Sequence, residues 1–371
     1  MKGEKEMPDV IVVGAGPAGS VAAKRCAEYG LDTLILEKRR LPREKVCSGM
    51  VMGEVAHTLI KQEFGDIPEA VLTQPSSLNG YIFHTPGVGS QTLENFTPLS
   101  FRRNLDYWMT QQAEAKGAKI WQGARVTGLK PKEAGFSVQV EKDGEKHEAE
   151  AGFVIGADGA TSVVRKSLYP DLQVSYGQVY QELYRGELDL DRSYFHWFYP
   201  LEFSPAMFTA HEKDNLIVVD FGGRPGLLKE LMAWTRNYLS KNHHIDFSQK
   251  PVWRGGCLQP ALFRPLITHT FLPAKGNVLL AGEAGGFVLP ISGEGIGTCL
   301  RSGLSAANSI IKAVETGVPA DSTYLDEVQP IISVFEELLP SFKKIITETK
   351  SGGRSLPQVV ADAYRATLRT F

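Results

Sequence analysis

The chain of 371 residues has only four cysteines, Cys26, Cys47, Cys257 and Cys299. No two of them form a CxxC pair, and none falls with histidines at zinc-ligand spacing. That argues against a structural metal and a redox dithiol, and a disulfide framework would be out of keeping with so large a chain. Each cysteine therefore reads as a small core residue unless its position says otherwise. Long apolar runs are also missing: none reaches the roughly 18 residues of a membrane-spanning helix. The opening residues, MKGEKEMPD, are charged and lack the apolar core of a signal peptide, so cytoplasmic residence is the expectation. An excess of one charge is absent as well. Forty Lys and Arg stand against 42 Asp and Glu, for a net charge of -2, and no basic footprint for nucleic acid results. What remains is a chain long enough for one large or two interleaved domains, with 43% hydrophobic residues to fill a core.

The first informative segment is DVIVVGAGPAGSVAAKRCAEYGLDTLILEKRR, from Asp9. Val10 to Val13 is a continuous apolar run, as in a parallel strand buried on both faces. Gly14, Gly16 and Gly19 give GxGxxG, followed by Ala18, Ala22, Cys26 and Tyr29 at helical spacing. A second strand, Thr33 to Leu36, ends at Glu37 and Lys38. In this setting Gly14 permits a tight turn, Gly16 lets a pyrophosphate approach the backbone, and Gly19 lets helix and strand pack closely. The helix N-terminus offers free N–H groups to phosphate, and the Glu37 carboxylate suits the hydroxyls of a ribose. Strand, glycines, helix, strand and terminal acid in that order predict a dinucleotide site.

Two further segments repeat the strand-to-glycine pattern. Phe153 to Ile155 runs into Gly156-Ala157-Asp158-Gly159, and Val278 to Ala281 runs into Gly282-Glu283 and a glycine-rich loop that opens a helix near Gly295. With the first segment, these resemble the FAD-binding pattern of the para-hydroxybenzoate hydroxylase-like flavoprotein group. The resemblance covers about half the chain. It implies FAD as cofactor, with Ala18, Glu37 and Lys38 at the adenosine diphosphate half. It also implies Arg102 (in SFRRNLDYW) beside the cofactor, Val126 at the adenine, Asp158 and Gly159 as an Asp-Gly motif, and Gly295 and Ile296 with N–H groups toward the flavin pyrimidine. Glu283 stands where that group carries Asp, one methylene longer. No second strand–GxGxxG–helix unit occurs, so electrons are expected from transiently bound NAD(P)H or from an electron-donor protein.

The predicted fold is α/β: a Rossmann-type FAD-binding domain (1–64, 98–170 and 272–325) interleaved with a mostly antiparallel substrate sheet (65–97 and 171–271). A C-terminal helical segment (326–371) follows. A helix is expected over Asn104 to Lys116, a second near Gly226 to Asn242, and a hairpin at Asp143-Gly144. VQPIISVFEELLPSFKKIITETK is amphipathic in part. Packing on its own domain is the expectation, peripheral contact with a membrane surface the alternative, and Pro340 is expected to interrupt it.

Near the chemistry, LPREKVCSGMVMGEV resembles the K-x-C-G-G-like stretch of the geranylgeranyl reductase branch, whose cysteine faces the flavin. Here the stretch is Lys45, Val46, Cys47, Ser48 and Gly49, with serine in place of a glycine. The resemblance makes Cys47, Ser48 and Gly49 cofactor contacts and Cys47 a candidate in catalysis. YFHWFYP, Tyr194 to Pro200, resembles that branch's Y-x-W-x-F-P motif with Tyr and Phe exchanged. Alternate strand residues share a face, so Phe195, Trp197 and Tyr199 are expected to form one apolar substrate wall, with Tyr194, His196 and Phe198 opposite. Trp197 and Tyr199 join Cys47 as catalytic candidates, while His196 and His57 read as satisfied structural residues, with proton donation as the alternative. The bland alternative is that these rings only fill a core. The implied reaction is reduction of carbon–carbon double bonds of an isoprenoid or other apolar substrate by hydride from reduced flavin. An aromatic hydroxylase is the rival, and a halogenase ranks below it because Phe195 and Tyr199 break the W-x-W-x-I-P stretch of that class.

Overall fold

The computed structural model describes residues 7–224 and 226–369. Most of the charged opening stretch, on which the expectation of cytoplasmic residence rests, and the last two residues of the C-terminal segment lie outside them.

Among the described residues, the cofactor half is built on a six-stranded sheet. Its order is Ala274–Lys275, Val278–Leu280, Phe153–Gly156, Val10–Val13, Thr33–Glu37, Lys119–Gln122. Val10–Val13 lies parallel between Thr33–Glu37 and Phe153–Gly156, and all four of its residues are buried. This is why the strand is uninterruptedly apolar. Helix Pro17–Tyr29 packs against this sheet, and helices Arg102–Ala115 and Ile296–Thr316 pack against that helix. A three-stranded sheet (Ala124–Lys132, Gly135–Lys142, Glu145–Ala151) adds Val138, Val140 and Ala149 to the same core. Its second hairpin turns at Asp143 and Gly144, both at positive φ (51° and 83°), as a two-residue hairpin turn requires.

The other half is a seven-stranded sheet in the order Trp253–Pro260, Tyr176–Arg185, Leu216–Gly223, Met207–Lys213, Tyr194–Phe198, Leu72–Thr85, Gly89–Ser100. All neighbours are antiparallel except Tyr194–Phe198 and Leu72–Thr85. Strand Gly89–Ser100 carries this sheet past residue 97, where the sequence reading ended it. Helix Leu228–His243 packs on one face through Leu231 and Leu239. Helix Leu356–Arg369 packs on the other through Val360 and Tyr364, against Tyr81, Phe83 and Trp197.

Pro340 does not interrupt the long C-terminal helix. Ala320–Lys350 runs through both Pro330 and Pro340. An interior proline costs about 3 kcal/mol. Val328, Ile331, Ile332, Phe335 and Leu338 are buried in the cofactor-half core, and each contributes roughly 1.5–3 kcal/mol, so burial outweighs the prolines. Among the described residues no helix is long and apolar enough to cross a membrane.

Candidate active site

One cavity of about 1060 Å³ separates the two halves. The glycine loop and Glu37–Lys38 form one end, with Ala18, Val126 and the Asp158-Gly159 turn. The Cys47-Ser48 loop, Glu283, Gly295 and Ile296 follow, and the sheet residues Phe195, Trp197, Thr209 and Asp220 close the far side.

The three glycines of the loop are there for different reasons. Gly14 has φ +103, and a Cβ on it would meet the Ala157 carbonyl oxygen at 2.4 Å. A Cβ on Gly19 would lie 1.9 Å from the Gly14 carbonyl oxygen, so Gly19 serves helix–strand contact and does not line the cavity. Gly16 has φ -92 and ψ -176, extended backbone open to any residue. The nearest atom to a Cβ there is Nη2 of Arg43, at 3.9 Å. Neither conformation nor protein packing demands glycine at this position. The open space there lies at the uncapped N-terminus of helix Pro17–Tyr29, where a pyrophosphate would be stabilised by free N–H groups. The residues present fit FAD.

Charged groups stiffen this end. Glu37 is buried; Oε2 accepts the Ala15 N–H at 3.0 Å and Oε1 the Arg39 N–H at 2.9 Å. Its first task is thus to hold the glycine loop. An ionised carboxylate has about four acceptor sites, which leaves two for a ribose. Arg43 donates to Asp106 Oδ2 at 3.0 Å and to the Ala15 carbonyl at 3.3 Å. Arg102 grips Asp106 with two bonds, at 2.6 and 3.0 Å. Burial pushes the Asp106 carboxyl up, but Arg102 and Arg43 outweigh it and hold it below its ordinary range.

The Asp158 carboxylate faces the short helix Val163–Leu168, accepting from Ser162 Oγ at 2.5 Å and the Val163 N–H at 2.6 Å. Its role in the structure is to shape the turn at the cavity wall. Glu283 uses its extra methylene to reach Lys45 of the cysteine loop, 2.9 Å away. Burial pushes Glu283 up; the Lys45 charge overrides that and leaves the carboxyl below its ordinary range. Gly295 is the N-cap of helix Ile296–Thr316. Glu294, just before it, went unnoticed in the sequence. It is buried, accepts the Gly297 N–H at 2.6 Å, and is pushed up to about 7 by burial against its backbone hydrogen bonds. An acid one residue ahead of a glycine-led helix start was the available signal.

Cys47 and Ser48 line the cavity, whereas Gly49 does not. Gly49 has φ +72 and its Cβ would lie 1.8 Å from the Ser100 carbonyl oxygen, so it is a packing glycine. The aromatic wall is continuous, with Trp197 stacked on Tyr199 at 6.5 Å, and it borders two cavities. Phe195 and Trp197 line the main cavity, their rings 5.2 Å apart. Trp197 also packs 5.6 Å from Tyr364 of the last helix, and its indole N–H has no hydrogen-bond partner among the described residues. The strand ends at Phe198, and Tyr199 lines a second, largely apolar cavity of about 380 Å³. Val179, Met207, Gln259, Val288, Ser292 and Gly293 line both cavities, so the two adjoin. On the opposite face, His196 lies 3.0 Å from His84 and 2.9 Å from the Asp191 carbonyl, and Phe198 stacks on Phe208 at 4.5 Å. His57 is bonded to the Val51 carbonyl at 2.7 Å. None of these residues lines either cavity.

Sequence reading also missed a polar row in the cavity wall. Asp220 accepts from Gln181 Nε2 at 2.6 Å and from Thr209 Oγ1 at 2.9 Å, and Gln181 Nε2 reaches the Cys47 carbonyl at 3.1 Å. Lys213 lies nearby, buried, donating to the Ser100 carbonyl at 3.1 Å, its pKa lowered by burial to about 8.

A dinucleotide cradle opening onto an aromatic sheet across one cavity defines a flavin-dependent oxidoreductase. Residues 9–178 match the FAD dependent oxidoreductase family. The chain is 31% identical to digeranylgeranylglycerophospholipid reductase 2 of Methanopyrus kandleri, covering 83% of this chain and 78% of that one. It is 25% identical to the chloroplastic geranylgeranyl diphosphate reductase of Oryza sativa subsp. japonica, covering 96% and 78%. A solved flavin-dependent brominase shares the fold, with TM-score 0.75, 16% identity, and 97% and 94% coverage. The chain belongs to the geranylgeranyl reductase-like branch of the FAD-dependent oxidoreductases, and it is an enzyme of that family with FAD as its cofactor.

Proposed function

We propose that this enzyme saturates carbon–carbon double bonds in a long isoprenoid chain. The observation that carries the reading is the pair of adjoining cavities. The second is walled by Tyr199, Phe263, Leu289, Ile291, Phe342 and Ile345, and it meets the main cavity beside Trp197 and Met207. A long apolar substrate laid through both would bury most of its surface and bring one segment to the Cys47 loop. Similarity to the two reductases named above supports the same substrate class.

The glycine loop, Arg43, Lys45 and Arg102 would hold FAD, with Gly295 and Ile296 at its far end. Reduced FAD supplies the hydride for such a reaction. Phe195 and Trp197 exclude water and orient the alkene, and Cys47 faces the reacting region from the loop between cofactor and substrate. NAD(P)H or a donor protein would reduce the cofactor. The test is anaerobic. The holoprotein is reduced with dithionite and mixed with geranylgeranyl diphosphate or, separately, with O₂. Flavin absorbance returning with the prenyl compound supports the reading. Return only with O₂, through an oxygen adduct, would favour the hydroxylase or halogenase chemistry of the shared fold.

A further inference from the structure

Saturating a double bond takes a proton at one carbon as well as hydride at the other. A suitable donor lines the cavity beside the aromatic wall, is screened from bulk water, and is not committed as a counter-charge. Glu283 is paired with Lys45 and Asp106 with two arginines. Glu37 holds the glycine loop, Asp158 caps a helix, and Glu294 caps the helix that begins at Ile296.

Asp220 meets each condition. Strand register puts Trp197 opposite Thr209, Thr209 opposite Asp220, Asp220 opposite Gln181 and Gln181 opposite Gly255. These five positions therefore form one row across five strands, with successive side chains on one face about 5 Å apart. Trp197, Thr209, Asp220 and Gly255 all line the cavity. Gln181 ties the row to the Cys47 carbonyl, so the acid stands between the substrate wall and the cysteine loop. Asp220 is 6% exposed, and both its oxygens meet only neutral donors. Burial pushes its carboxyl above the ordinary range, against the Gln181 and Thr209 bonds and the Lys213 charge.

Resting on the reductase reading above, we propose that Asp220 is the proton donor of the reaction. The Asp220 O–H bond breaks, and its proton forms a C–H bond with the electron pair of the alkene π bond. The other alkene carbon takes the hydride drawn from the reduced cofactor, which is oxidised. The carboxylate left behind is stabilised by the Gln181 N–H and the Thr209 O–H, and solvent returns its proton between turnovers.

Asp220→Asn is suited to the test, because an amide keeps both contacts: its oxygen accepts from Gln181 and its NH₂ donates to Thr209. Holoprotein carrying Asp220→Asn or Asp220→Glu is reduced anaerobically and mixed with geranylgeranyl diphosphate beside wild type. Separately, infrared difference spectra of the oxidised protein record protonated carboxyl groups. The expected result is normal FAD content and near-normal probe binding in Asp220→Asn. Its reoxidation should be slowed about a hundredfold or more, the scale of a lost general acid. A protonated-carboxyl band should vanish in Asp220→Asn, and Asp220→Glu should recover part of the rate. Reoxidation of Asp220→Asn at the wild-type rate overturns the proposal, as does an unchanged carboxyl band. So does loss of FAD in both variants, which would make Asp220 structural. Wild type that is not reoxidised by the probe overturns the reductase reading itself, and the assignment of Asp220 falls with it.

Discussion

The two ends of the cavity treat their acids differently. Toward the glycine loop, Asp106 is gripped by Arg102 and Arg43, Glu283 by Lys45, and both carboxyls are held below their ordinary range. Toward the substrate sheet, Asp220 and Glu294 meet only neutral donors, and burial pushes both up. One end is a rigid charged frame for a cofactor. The other holds groups able to carry protons. Asp158, raised yet at the cofactor side, fits neither description, because its hydrogen bonds are committed to starting a helix.

The contrast breaks if the two kinds of acid respond alike to loss of charge. Asp106→Asn leaves the buried Arg102 guanidinium without its counter-charge, while Arg43 keeps Glu37 at 3.6 Å, and truncating a buried pair costs about 3–5 kcal/mol. Asp220→Asn should cost less than about 1 kcal/mol, since both contacts survive. Urea unfolding of the two variants checks this, and equal losses would erase the distinction.

Next in size is the cradle itself. Gly16→Val puts side-chain atoms where the pyrophosphate would lie. Overpacking costs about 1–3 kcal/mol, or roughly tenfold to a hundredfold in affinity. Fluorescence titration should show that loss in FAD binding while the FAD-free protein melts near wild type. Gly14→Val should instead destabilise the FAD-free protein, through its clash with Ala157.

Acidity sharpens the comparison further. Glu294 has its folded pKa raised from 4.5 to about 7, so the protonated form favours the fold. Its stabilising contribution is fully present below pH 4.5 and is lost as pH rises through about 7. Glu294→Gln stays neutral throughout. The melting temperature of the variant relative to wild type, in the FAD-free proteins, should therefore rise between about pH 5 and pH 8. A difference that ignores pH would count against the buried, cation-free setting.

The smallest expected effect on binding is at Cys47. Among the described residues its Sγ accepts only the Gly49 N–H, at 3.3 Å, while the loop is held by other contacts. Cys47→Ala should retain FAD, with turnover or product pattern altered. Unchanged kinetics and products would reduce the thiol to packing.

Legibility in the sequence followed the same division. Gly14, Gly16 and Gly19, the Asp158-Gly159 turn and the helix start at Gly295 were readable because short backbone constraints fix them within a few neighbouring residues. The row Trp197–Thr209–Asp220–Gln181 was not, because it exists only through the register of strands far apart in the chain. Phe195, Trp197 and Tyr199 share one face as expected, Tyr199 stacking on Trp197 at 6.5 Å, but local alternation does not reveal that Tyr199 borders a second cavity. Glu37 and Asp158 were expected to point at the cofactor, and each first satisfies a backbone N–H. Pro340 misled because its local penalty is outweighed by burial in the three turns before it in the same helix.

The central claim is that the cavity joins reduced flavin to an alkene and adds hydrogen across it. Mass spectrometry of the product formed anaerobically in D₂O by the reduced holoprotein, in a single turnover with geranylgeranyl diphosphate, tests this most directly. The account predicts a saturated bond carrying solvent deuterium at the protonated carbon and no added oxygen or halogen. Recovery of the unchanged alkene from protein shown to hold reduced FAD would contradict it.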